Sequence, residues 1–159
     1  MKILITGAYG NLGLMCIEQA LAMGYQIKCF DLLNSANQKK ADEYAGRVET
    51  VLGDIRDSDM LQSLVEGVDA IIHNASILPP LTDTQPALAQ AVNVDACKAL
   101  IDFAQNSATK PVFIFPSSVT VFGEQKGEYS VKSVSDPIEA TDNYTSHKIQ
   151  IEEYLKASD

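Results

Sequence analysis

The 159-residue chain has no apolar run approaching 18 residues, which excludes a conventional membrane-spanning helix, and its amino terminus lacks the pattern of a secretory leader. A cytoplasmic protein with no membrane partner is the expectation. Cysteine is scarce: Cys16, Cys29 and Cys97 are odd in number, scattered, and without a C-x-x-C pair. Disulfides and a zinc site are therefore not expected, and the three read as small core residues. Basic residues are few, 12 Lys and Arg against 21 Asp and Glu, for a net charge of −9. A nucleic-acid partner is excluded on that ground, because clustered Lys and Arg supply most phosphate-backbone affinity. There is no internal repeat, low-complexity stretch or Gly/Ser linker, so the chain reads as one domain.

What the chain does have is concentrated at its start. Ile3, Leu4 and Ile5 form a short apolar run of the kind found in a central parallel strand covered on both faces. Gly7, Gly10 and Gly13 follow at intervals of three. Such a run of glycines permits a tight turn, close approach of backbone to a pyrophosphate, and a helix whose opening N–H groups, at Asn11, Leu12 and Gly13, point at that anion. Helical spacing of Leu14, Ile17 and Leu21 closes at Gly24, and Gln26 to Phe30 reads as a second strand ending on Asp31. Asp31 lies 18 positions after Gly13, where a βαβ unit needs a carboxylate to accept hydrogen bonds from ribose hydroxyls. A carboxylate there repels a 2′-phosphate, which favours NAD over NADP.

The remaining elements alternate. Ser35 to Gly46 reads as a short helix, Arg47 to Leu52 as a strand, and Asp57 or Ser58 as the cap of a helix carrying Met60, Leu61, Leu64 and Val65. Gly67 to His73 gives a turn and a fourth strand, with His73 read as structural. Thr84 to Ser107 is the longest helical pattern, with Pro86 near its start, and Pro111 to Phe115 is a fifth strand. The order β-α-β-α-β-α-β-α-β predicts an α/β fold, a Rossmann-like doubly wound parallel sheet of five strands flanked by helices.

Thr6-Gly7-Ala8-Tyr9-Gly10-Asn11-Leu12-Gly13 resembles the signature of the extended short-chain dehydrogenase/reductases, the family of NAD-dependent epimerases and dehydratases. Gly53-Asp54-Ile55-Arg56-Asp57 resembles the family's G-D-x-x-D segment, which implies Asp54 and Ile55 beside an adenine ring. The resemblance also implies that the small Ala75 and Ser76 pass beneath the cofactor and that Asn93 faces the cofactor pocket. Composition alone leaves Asn93 equally readable as a helix residue turned to solvent.

Ser118 follows the fifth strand, and 26 positions later stands Tyr144-Thr145-Ser146-His147-Lys148. On a helix, positions i and i+4 share a face. A phenol is a poor base at neutral pH unless a cation stabilises its phenolate, and Lys148 is spaced to do so. Ser118, Tyr144 and Lys148 match the family's Ser-Tyr-Lys triad residue by residue, so that Tyr144 and Lys148 are expected both to catalyse and to bind cofactor. His147 is expected at the surface. The resemblance spans the whole chain yet only the front half of the family pattern, with no C-terminal substrate domain, and it implies a homodimer packed through the helices of Asn93 and Tyr144. The expected function is that of an NAD-dependent oxidoreductase or epimerase/dehydratase-like domain acting on a hydroxyl or carbonyl of a sugar or related small molecule. The alternative is a non-catalytic dinucleotide-binding module or a truncated inactive fragment.

Overall fold

A computed structural model of the chain describes residues 1–124 and 131–158. The elements run β1 (Lys2–Thr6), α1 (Asn11–Ala22), β2 (Gln26–Asp31), α2 (Ser35–Glu43), β3 (Glu49–Leu52), α3 (Ser58–Leu64), β4 (Ala70–His73), α4 (Leu81–Thr84), α5 (Pro86–Gln90), a π-helical turn (Ala91–Asp95), α6 (Ala96–Asn106), β5 (Val112–Ile114), a 3-10 turn (Val119–Phe122) and α7 (Asn143–Ala157). All strand pairs are parallel, in the order β3-β2-β1-β4-β5. The doubly wound sheet expected from the alternation is therefore present.

β1 holds the centre because its side chains feed both layers. Successive strand residues point to opposite faces. Ile3 and Ile5 pack with Ile17, Ile27 and Cys29 toward α1, whereas Leu4 packs with Phe30, Leu61, Ile71 and Leu100 toward α3 and α6. A third cluster, Val94, Cys97, Ile101 and Ile151, fixes α7 against α6. Helix starts follow local chemistry: Asn34 caps α2, Asp57 caps α3 as its sequence suggests, and Asp142 caps α7 by accepting from the Thr145 N–H. Cys29 and Cys97 are buried and Cys16 is half-buried, all three as free thiols. No helix among the described residues is long and apolar enough to cross a membrane.

The single helical pattern read from Thr84 to Ser107 is divided in the structure. Pro86 cannot donate an N–H and opens α5, and the helix then widens into the π turn at Ala91–Asp95 before α6 resumes. At the other side of the sheet β5 pairs with β4 alone among the described residues. Its Phe113 packs inward, while Val112 and Ile114, on the opposite face, remain 65% and 47% exposed.

Candidate active site

The site is built at the carboxyl ends of β1, β2, β4 and β5, where an open parallel sheet presents its loops. Gly7 turns the chain out of β1 at φ +61°, and a Cβ there would stand 2.7 Å from the Ala75 nitrogen. Gly13 is tighter still, since its Cβ would come within 2.2 Å of the Gly7 carbonyl oxygen. Backbone of the loop and first turn of α1 are thus in direct contact, with no room for a side chain between them. Gly10 precedes α1 and offers no side-chain cap, so the opening N–H groups of that helix are left to face a ligand.

Asp31 sits beside this loop and already organises it. Its carboxylate accepts from the Tyr9 and Leu32 backbone N–H groups, both at 2.7 Å, and from Asn37 Nδ2 at 3.0 Å. A carboxylate has about four lone-pair positions, so one further donor can be accommodated. Lys40 reaches across from α2 to donate to the Tyr9 carbonyl. The Tyr9 ring is buried, with its hydroxyl 2.6 Å from Thr50 Oγ1 and its pKa pushed to about 12 chiefly by burial. Neither Asn37 nor Lys40 stands out in the sequence; only the fold brings them to the loop.

β3 ends next to Asp31, where the Gly53 N–H donates to the Asp31 carbonyl. Asp54, one residue further, is clasped by the Arg56 guanidinium and its carboxyl is held down at about 2, mainly by that hydrogen bonding. Ile55 turns inward to pack with Leu4 and Phe30.

At the ends of β4 and β5 the structure gathers Ala75, Ser76, Asn93, Phe115, Tyr144, His147 and Lys148 around one small cavity. Thr6 Oγ1 accepts from the Ala75 N–H at 3.3 Å and is hydrogen-bonded to His73 Nδ1 at 2.8 Å, which joins β1 to β4. His73 is buried between this contact and the rings of Phe113 and Phe115, in the structural role expected of it. Asn93, far from facing solvent, is buried on the π turn. Its Oδ1 accepts from the Ile77 N–H at 2.7 Å and from Ser76 Oγ at 3.2 Å, and its Nδ2 donates to the Ile77 carbonyl at 2.9 Å.

His147 corrects the surface position expected from the sequence. It is only 6% exposed, and its Nδ1 lies 3.3 Å from Asn93 Nδ2. The physical reason is that His147 shares a helix face with Ile151 four residues on, and that face of α7 packs against the π turn and α6. The i, i+4 relation to a fully buried Ile was the signal available in the sequence.

Tyr144 and Lys148 share the cavity as their spacing requires. The Lys148 ammonium donates to the Pro116 carbonyl at 2.7 Å and lies 4.4 Å from the Phe115 ring centroid and 5.6 Å from that of Tyr144. Burial lowers the Lys148 pKa, partly offset by Cys97 and Glu152. Burial also raises that of Tyr144, with Asp142 adding in the same direction. The direction is opposite to the depression expected from Lys148 and follows from burial of the phenol and the nearby Asp142 charge. Ser118 is not brought into the lining. It caps the 3-10 turn instead, with its Oγ accepting from Thr120 Oγ1 at 2.9 Å and from the Thr120 N–H at 3.3 Å.

A glycine turn against a helix start, a carboxylate at the end of β2, and a Tyr and Lys on one helix face define a Rossmann-type protein of the short-chain dehydrogenase/reductase kind. The chain belongs to the NAD-dependent epimerase/dehydratase family, whose model matches residues 3–159. D-erythronate dehydrogenase of Cupriavidus necator is 31% identical over 134 residues, covering 79% of this chain and 41% of that protein. Among solved structures, the UDP-Glc/GlcNAc 4-epimerase of Campylobacter jejuni superposes with a TM-score of 0.86 at 26% identity, over 99% of this chain and 48% of its own. A short-chain dehydrogenase/reductase superfamily protein of Agrobacterium tumefaciens with bound NAD gives 0.79 at 26% identity, over 99% and 44%. The chain thus spans less than half the length of these relatives.

Proposed function

We propose that this chain is the NAD-binding domain of an oxidoreductase or epimerase/dehydratase that acts on a hydroxyl or carbonyl of a sugar or related small molecule. The observation that carries the reading is the shared cavity of Tyr144, Lys148, Ser76 and Asn93 at the carboxyl ends of β4 and β5, on the same sheet edge as the glycine turn. The residues fit a dinucleotide. Gly7 and Gly13 leave backbone where a side chain would block the approach, α1 opens without a cap, and Asp31 borders the turn. NAD, as bound in the Agrobacterium tumefaciens relative, supplies the hydride-accepting chemistry.

The chain's own residues supply the proton chemistry. Tyr144 donates a proton to a substrate oxygen in one direction and removes it in the other. As a base it needs the Lys148 ammonium to leave the Pro116 carbonyl and approach the phenol, since burial otherwise favours the neutral form. Ser118, one residue past Ser117 at the end of the β5 connection, orients that oxygen when its Oγ exchanges Thr120 for substrate. A homodimer through the helices of Asn93 and Tyr144, and a cytoplasmic location, belong to the same reading.

In an assay of NAD reduction with sugars, sugar acids and secondary alcohols, Tyr144→Phe should lower turnover by at least about a hundredfold with NAD affinity nearly unchanged. NAD binding with no turnover by the wild-type chain would favour the non-catalytic module. Calorimetric titration should also show NAD binding at least about tenfold tighter than NADP, with Asp31→Ser narrowing the gap. Tighter NADP binding by the wild type would show that Asp31 does not border the ribose.

A further inference from the structure

Asn93 has a full set of hydrogen bonds, and two of its four partners are fixed in kind. The Ile77 N–H can only donate, so it must face Oδ1; the Ile77 carbonyl can only accept, so it must face Nδ2. Ser76 Oγ takes the second lone pair of Oδ1. The second hydrogen of Nδ2 is then directed at His147 Nδ1, which must present a lone pair. This sets His147 as the neutral tautomer with its proton on Nε2.

We propose that His147 is a positioning residue of this site: by accepting from Asn93 it ties α7, which carries Tyr144 and Lys148, to the Ser76–Ile77 segment across the cavity. The link joins two parts of the site that the backbone brings together by different routes, since Ile77 follows β4 and His147 lies 54 residues beyond Asn93. Without it, Asn93 loses one of the four contacts that fix its orientation toward Ile77, and α7 is left tied to that side of the site by the Asn143 hydrogen bonds to Thr82 and Asp83 and by the apolar cluster of Val94 and Ile151.

A protonated His147 would present an N–H to an N–H, so the link is broken by acid. The groups around the ring are Tyr144 and Lys148 in the cavity, Asp142 at the cap of α7 and Asp95 on the π turn. Burial disfavours the charged ring and outweighs the two carboxylates, which lowers the pKa below the ordinary 6.5. The link is therefore present at neutral pH and is lost as pH falls below that range.

The functional part of this inference rests on the reading above, and its structural part can be tested without a ligand. Amide-exchange protection factors would be compared in the wild type, His147→Ala and His147→Gln, whose side-chain carbonyl can accept from Asn93 in place of the ring. His147→Ala should lower protection of the Ile77 amide at least about tenfold while Leu4 and Ile5 in β1 keep theirs, and His147→Gln should restore it. In the wild type that protection should fall between pH 7.5 and 5, and in His147→Gln it should stay level, a comparison that stands even if His147→Ala does not fold. Unchanged Ile77 protection in a folded His147→Ala chain, or the same acid response in His147→Gln, would overturn the proposal. NADH titration by fluorescence over the same pH range should show affinity falling in the wild type and level in His147→Gln. If NADH binds to neither, the dinucleotide reading fails and the exchange data alone decide the role of His147.

Discussion

Gly13→Ala is expected to weaken NADH binding by at least about a hundredfold and to destabilise the fold by roughly 1–3 kcal/mol, the usual cost of overpacking. The new methyl would meet the Gly7 oxygen at 2.2 Å and the Ala8 oxygen at 2.5 Å. Both are backbone atoms, so no rotamer change relieves the clash. Relief requires α1 to move away from the turn, and that movement takes the helix's opening N–H groups out of reach of a pyrophosphate. Gly10→Ala provides the graded comparison, because its methyl would sit 3.3 Å from the Gly7 oxygen and a shift of a few tenths of an ångström accommodates it. Urea unfolding and NADH fluorescence titration measure the two effects separately. A Gly13→Ala chain with wild-type affinity would show that the helix start does not form the anion site.

The second large effect is on stability in acid, and it comes from His73. Burial first, and the Lys148 charge second, push its pKa down to about 3, whereas an unfolded chain titrates near 6.5. The unfolded state therefore takes up the proton first as pH falls. Stability from the neutral ring is complete above pH 6.5 and is lost progressively toward pH 3. At 1.36 kcal/mol per unit, the whole window is worth on the order of 5 kcal/mol. His73→Gln removes the titration while leaving a hydrogen-bonding side chain opposite the Thr6 hydroxyl. Unfolding free energies at pH 7, 6, 5 and 4 should fall more steeply in the wild type than in His73→Gln. Parallel curves would mean that the ring titrates in the fold as it does in the unfolded chain.

These two residues also mark how far the sequence could be read. The glycine spacing, the apolar run of β1 and the Asp57 cap are set by chemistry within a few positions of one another, and each is where its pattern puts it. Tyr144 and Lys148 meet because helix geometry alone relates them. The misses have partners far along the chain. The ammonium of Lys148 is held by a carbonyl 32 positions away, so the spacing that pairs it with Tyr144 could not show its engagement elsewhere. His147 carried a faint local signal in Ile151, but its hydrogen-bond partner lies on a different element. The single long helix between β4 and β5 failed for a like reason, since Asn93 is bonded to backbone 16 residues earlier and no periodicity within the helix encodes that.

The π turn at Ala91–Asp95 has a consequence for chain length. An α-helical path advances 100° per residue, so the extra residue stored in the turn rotates everything after it by that angle relative to an unbroken helix. α5 can then bury Ala89 while α6 buries Cys97, Leu100, Ile101 and Ala104 in its own phase. Deleting one residue here would restore regular helical hydrogen bonding and at the same time turn Asn93 away from Ile77 or α6 away from its neighbours. Insertions and deletions are accommodated in exposed turns such as that at Gly46, whereas the interval from Pro86 to Asn106 behaves as a fixed count.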